Sequence, residues 1–156
     1  MASKQSAKTI HAAIAVIERR GRYLICRRRL DDSLGGYWEF PGGKREPRES
    51  WEGCLRRELR EELGIFVRDV RPYGRMRYRY PNGTVAFRIF RCAIAKGEPK
   101  PLDAMALQWI SRDRLVKYRF PPANQPLVDR LLGRLRGSDR DGIIGSKRQH
   151  KKEGER

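Results

Sequence analysis

Soft metal ligands are scarce in this chain, which has two histidines and three cysteines, and none of Cys26, Cys54 and Cys92 stands in a Cys-x-x-Cys pair or beside a histidine. That scarcity argues against a disulfide framework and a zinc centre, both of which need paired or clustered ligands. An odd number of cysteines set in apolar runs predicts buried, reduced thiols in a cytoplasmic protein. No apolar run reaches the roughly 20 residues of a membrane span. The opening stretch, Met-Ala-Ser-Lys-Gln-Ser-Ala-Lys, leads into an apolar run broken by Glu18 without a small-residue cleavage site. Neither a membrane partner nor secretion is expected. Acidic residues are few as well: 19 Asp and Glu stand against 36 Lys and Arg, for a net charge of +17.

A tail does not explain that surplus. Residues 137–156 hold six Lys and Arg and four Asp and Glu, so nearly all the excess lies before them. A field of this sign draws in polyanions. Arginine outnumbers lysine 27 to 9, and its planar fork suits bidentate phosphate contacts. Nucleotides are the expected partners, with nucleic acid compatible but not required. Genome-wide codon bias explains an arginine-rich composition equally well, so charge alone assigns no function.

At 156 residues one domain is expected. Residues 9–18 read as a largely buried strand, and Arg20-Gly21-Arg22 turns into a second from Tyr23 to Arg27. Residues 37–40 form a short aromatic strand that breaks into a glycine turn. Strands are expected over 65–70 and 73–80, with a hairpin turn at Pro81-Asn82-Gly83-Thr84 leading to a strand over 85–95. A short strand over 107–110, a capped helical turn over 111–115 and a final helix from Gln125 to Leu135 complete the domain. The organisation is a flexible N-terminus over 1–8, a domain over 9–136 and a disordered tail over 137–156, in a monomeric protein.

The informative stretch is 43–65. Trp51, Leu55, Leu59 and Leu63 recur every four residues, Ser50 is an N-cap and Gly64 a stop, so a helix runs between them. At 100° per residue Glu58, Glu61 and Glu62 fall beside the leucine stripe, where an unpaired carboxylate is costly. Glu58 and Glu62 also repel as an i,i+4 pair. A hard divalent cation, magnesium or manganese, answers both problems. The competing account is a salt-bridged helix in which Arg57 and Arg60 neutralise the glutamates.

The spacing Gly-x5-Glu-x7-Arg-Glu-Leu-x-Glu-Glu-x-Gly-Ile over residues 43–65 resembles the full signature of the Nudix hydrolases, fixed at nine positions. Trp38-Glu-Phe-Pro-Gly-Gly-Lys44 and Phe120-Pro-Pro-Ala-Asn124 are similar to the MutT-like branch. The resemblance implies an α/β/α sandwich with a mixed β-sheet. It also implies magnesium-dependent hydrolysis of a nucleoside triphosphate, 8-oxo-dGTP by this branch, to the monophosphate and pyrophosphate, which keeps oxidised guanine out of DNA. Carried over by position, Glu58, Glu61 and Glu62 are metal-binding and catalytic, Glu49 assists, and the Gly43 carbonyl is a ligand. Arg28 contacts phosphate, and Asp103, where the branch has a glutamate, assists metal binding or water activation. Glu39, Phe40 and Asn124 select the base. Gly83 stands where the branch carries an arginine, a departure at the base site.

At Asn124 the selection has a hydrogen-bond basis: oxidation at C8 turns guanine N7 into a donor beside the O6 acceptor, and one side-chain amide satisfies both. Asn124 is equally placed to cap the last helix. Three rival functions stand beside this one: hydrolysis of a pyrimidine triphosphate, processing of RNA 5′ ends, and nucleic-acid binding without catalysis.

Overall fold

A computed structural model describes residues 8–134. Seven strands and two helices follow in the order β1 (Thr9–Arg19), β2 (Arg22–Arg27), β3 (Trp38–Glu39), β4 (Gly42–Lys44), α1 (Trp51–Leu63), β5 (Phe66–Tyr80), β6 (Gly83–Lys96), β7 (Ala106–Ser111) and α2 (Gln125–Leu131). Short 3₁₀ segments cover Arg112–Lys117 and Pro122–Asn124. The expected N-terminus over 1–8 and tail over 137–156 fall, apart from Lys8, outside the described residues.

β1 is the axis of the molecule. It runs parallel to β6 and antiparallel to β2 and β4, while β2 carries β3 and β7 and β6 carries β5. The sheet is mixed, as expected. Because side chains alternate along a strand, β1 feeds two cores. Ala13, Ala15 and Ile17 pack with Leu55, Leu59 and Leu63 of α1, and Ile14 and Val16 pack with Leu127, Val128 and Leu131 of α2. Small alanines on one face let α1 lie close to the sheet. A helix on each face makes a single α/β/α domain.

The structure corrects several boundaries. The strands expected over 65–70 and 73–80 are one strand, β5, whose pairing with β6 is irregular between Arg68 and Arg71 and between Pro72 and Gly74. Bulges of this kind carry the chain past Asp69 (φ 55°) and Pro72, which would otherwise interrupt a ladder. The hairpin turn is tighter than expected, with Pro81 and Asn82 between Tyr80 and its partner Gly83. Ser111 makes no side-chain capping bond to the segment after it. α2 stops at Leu131 rather than Leu135 because Gly133 (φ 73°) turns the chain and its N–H is bonded to the Arg130 carbonyl. Leu135 lies outside the described residues. Cys26, Cys54 and Cys92 are buried and free, as expected.

Candidate metal and nucleotide site

The loop and helix of the signature are fixed at both ends. Ser50 Oγ accepts from the Gly53 N–H at 3.0 Å, and Gly64 (φ 68°) donates back to the Arg60 carbonyl at 3.0 Å. β4 holds the loop against β1, with Gly42 opposite Ile14 and Gly43 opposite Ala13. The two glycines are cleared for different reasons, one against backbone and one against a movable carboxylate. A Cβ on Gly42 would strike the Ala13 carbonyl, and one on Gly43 would strike the Glu58 carboxylate. Gly43 therefore puts bare backbone against Glu58, the first of the three signature glutamates.

The three glutamates are not equivalent. Glu58 and Glu62 are half-buried, whereas Glu61 is exposed, further from the leucine stripe than the helical angle suggested. Glu62 accepts from the Gly42 N–H at 3.3 Å and has no guanidinium partner among the described residues. Burial, and then the charges of Glu58 and Glu39, push its pKa up to about 8, with Asp103 adding to the effect. Glu58 is raised by burial against the opposing pull of Arg57. Glu39 is likewise raised by burial, opposed by Arg28 and aided by Asp103. Glu62 thus feels the charges of Glu58, Glu39 and Asp103 together, and Glu39 feels Asp103.

Arg57 realises part of the salt-bridge account. It holds Glu49 through two nitrogens, donates to Glu58 Oε1 at 2.9 Å and Glu61 Oε2 at 3.2 Å, and ties the Lys44 carbonyl at 3.0 Å. Arg56 points away, to Glu52 and the Val67 carbonyl. With Arg57 among them, no group of three or more His, Cys, Asp or Glu side chains is gathered to hold a metal ion among the described residues. The donor set nevertheless fits a hard divalent cation. It is all oxygen, it contains one carboxylate whose ionisation is opposed by burial and like charge, and it faces a backbone cleared of Cβ atoms.

The residues expected to meet substrate divide into three groups. Arg28 donates to Glu39 at 2.7 Å and to the Ser33 carbonyl at 2.9 Å. Its neighbours do similar work: Arg27 donates to the Gly36 carbonyl, and Arg29 pairs with Asp31 and, at 3.8 Å, with Asp103. The arginine triplet braces the loop between β2 and β3, and Asp103, 66% exposed, is drawn to that loop. Phe40 is buried, 2% exposed, and stacks on Phe120 at 5.3 Å. Its ring belongs to the core, so any contact with a base would come from its backbone.

Asn124 is the one buried polar residue of the described core at 6% exposure, and it makes no capping bond to α2. The capping role is therefore set aside. Sequence reasoning missed Tyr80, whose hydroxyl is engaged by the Ala123 backbone next to Asn124 and lies within the field of Arg28. Tyr78 packs against it with ring centroids 4.7 Å apart. The alternation Tyr78-Arg79-Tyr80 was the available signal, because residues two apart share a strand face.

A mixed sheet lies between two helices, and a glycine loop feeds an acidic helix beside β1. The chain belongs to the Nudix family: the model of the NUDIX domain matches residues 12–130. Among curated relatives it is 35% identical over 126 residues to the CTP pyrophosphohydrolase of Escherichia coli, covering 80% of this chain and 93% of that protein. It is 32% identical to the 8-oxo-dGTP diphosphatase of Haemophilus influenzae, again over 80% and 93%. The solved structure of the E. coli ORF135 protein superposes with a TM-score of 0.70 at 32% identity, covering 81% of this chain and 90% of that one. The chain is a hydrolase of phosphoric anhydride bonds in nucleotides. No helix among the described residues is long and apolar enough to cross a membrane.

Proposed function

We propose that the protein is a magnesium-dependent pyrophosphohydrolase that converts 8-oxo-dGTP and water to 8-oxo-dGMP and pyrophosphate, removing a mutagenic precursor in the cytoplasm. Glu58, Glu61, Glu62 and the Gly43 carbonyl would hold the cation. When bound, a divalent cation neutralises phosphate oxygens and acidifies water at the site. Arg57 holds Glu58 and Glu61 in position, and Glu49 anchors Arg57 in turn. Glu61, the most solvent-accessible of the three, is suited to take a proton from water as it attacks the β-phosphorus. Asp103 assists from the loop before β7, where it pairs with Arg29. Arg28 is placed to exchange Glu39 for a phosphate oxygen as substrate enters.

The observation that carries the base assignment is Asn124, a buried amide left without a capping role beside Tyr80. A buried amide wants a donor and an acceptor side by side, which 8-oxoguanine offers at N7–H and O6. Unmodified guanine puts two acceptors there and leaves the amide oxygen facing a lone pair.

The relative named CTP pyrophosphohydrolase, at 35% identity, supports a second reading. Cytosine presents a donor at N4 beside an acceptor at N3, so the same amide satisfies it. Asn124 supplies the pattern under both readings. The test is release of pyrophosphate against phosphate from 8-oxo-dGTP, dGTP, CTP, dCTP and 5′-triphosphorylated RNA, with and without magnesium or manganese. The highest kcat/KM on 8-oxo-dGTP supports the first reading; the highest on CTP or dCTP replaces it with the second. Absence of metal-dependent release from every substrate refutes both.

A further inference from the structure

The β5–β6 hairpin has two unlike faces. Met76 packs with Ile89 in the core that holds α2, and Tyr78 and Tyr80 share its side of the strand by alternation. Arg75, Arg77 and Arg79 lie on the opposite side, across from Arg88, Ala86 and Thr84 of β6. The same rows continue onto β1 as Ala13, His11 and Thr9. This is the face that α1 covers further along, but here the helix has only begun. Arg77, Arg79, Arg88 and His11 are exposed.

Trp51, the first residue of α1, stands at the border of this surface. The guanidinium carbons of Arg45 and Arg88 each lie 5.2 Å from its ring, and His11 meets it edge-on at 5.8 Å. Beside it the pairing of β5 with β6 skips Tyr73. A pocket of ≈ 310 Å³ opens there, lined by Trp51, Tyr73, Arg75, Arg88 and Phe90 among others. That volume is at the small end of ligand sites. No Asp or Glu occurs in residues 8–13, 73–80 or 83–90, which build the face. The nearby acids of the helix start are engaged, Glu49 by Arg57 and Glu52 by Arg56.

We infer that this face binds single-stranded nucleic acid, with the arginine rows on its phosphates and one unstacked base in the pocket beside Trp51. Alternate residues of a strand are about 6.7 Å apart, close to the phosphate spacing of an extended single strand. Guanidinium groups around an aromatic ring beside an open pocket are the chemistry that holds bases without reading their sequence. A duplex keeps its bases stacked within itself and has none to place there. Tyr78 and Tyr80 lie on the opposite sheet face, and Glu58 stands seven residues beyond Trp51, about 10 Å along the helix, so the surface does not depend on which triphosphate is cleaved.

The experiment is fluorescence anisotropy of the full chain with a labelled, unphosphorylated 12-nucleotide single strand, DNA and RNA in parallel, without divalent ions and across a salt series. A saturating non-hydrolysable nucleoside triphosphate occupies the cleft throughout. Binding that persists under these conditions is expected. The double variant Arg77→Ser/Arg79→Ser should weaken it at least about tenfold at low salt and lower the slope of log K against log salt by about 1.4, roughly 0.7 for each phosphate left without its arginine. Its triphosphate hydrolysis should be unchanged, which also shows that it folds. Displacement by the nucleotide analogue, equal affinity of the double variant, or equal affinity for a duplex or for inorganic polyphosphate of matched charge would each overturn the proposal.

Discussion

Arg57 and Glu49 meet at two points, Nε to Oε2 at 2.6 Å and Nη2 to Oε1 at 3.0 Å. The pair holds the Glu49 carboxyl down at about 2, chiefly through the hydrogen bond to Arg57. It also aims the remaining guanidinium nitrogen at Glu58 and Glu61. Arg57→Lys keeps the charge and loses the fork. A fall of about 10–100-fold in kcat/KM is expected, the usual effect of removing a group that orients ligands, with unchanged circular dichroism. Full activity in this variant would show that the fork orients nothing that matters.

Glu61 is the exposed member of the acidic trio and touches the rest of the protein through Arg57. Glu61→Gln should fold normally and lose about 10²–10⁴ in kcat. Wild-type turnover would remove Glu61 from the reaction.

Gly43 has no left-handed backbone to protect, so a single methyl there tests space alone. In Gly43→Ala the Glu58 carboxylate must swing aside. Thermal stability should hold while the metal concentration for half-maximal activity rises at least tenfold. An unchanged metal response would mean that Glu58 and the Gly43 carbonyl do not act together.

Asn124→Ala removes the buried amide without removing a helix cap. The ratio of kcat/KM for the preferred substrate over dGTP should fall by about ten- to a hundredfold, the effect of one buried polar mismatch. A preserved ratio would move base selection elsewhere, with Tyr80 the next residue to change.

The three thiols give a pH prediction. Burial pushes Cys92 up to about 12 and Cys54 up to about 11, and raises Cys26 as well. An unfolded thiol ionises near 8.5, so above that pH the unfolded chain has lost protons that the native protein keeps. Stability should therefore be intact below about pH 8.5 and decline as pH rises towards the native values. Urea unfolding at pH 8 and pH 10 measures the decline, and Cys92→Ala should make it smaller. An equal decline in that variant would assign it to other groups.

Much of the fold was legible because it rests on local chemistry. The α1 span, its Ser50 cap and its Gly64 stop follow from residue types at fixed offsets, and a two-residue alternation placed both halves of β5. The missed boundaries have two causes. The irregularities that join Phe66 to Tyr80 are set by the strand opposite, which periodicity does not describe, and the local stop at Gly133 was overridden by the apolar spacing that runs on to Leu135. At the site, Arg57 was weighed as a charge that cancels glutamates. Its role in arranging them depends on Glu49 and on the Lys44 carbonyl, both on the loop that packs against the helix.

By itself the sequence determined that an acidic helix follows a glycine loop and that the family is Nudix, because nine positions over 23 residues lie within one local element. Tertiary structure decided which groups are available. It turned Phe40 inward onto Phe120, freed Asn124 from α2, joined Arg28 to Glu39, and put tyrosines and arginines on opposite faces of one hairpin. Burial and partner choice come from distant strands packing on either side of β1, and no local spacing encodes them.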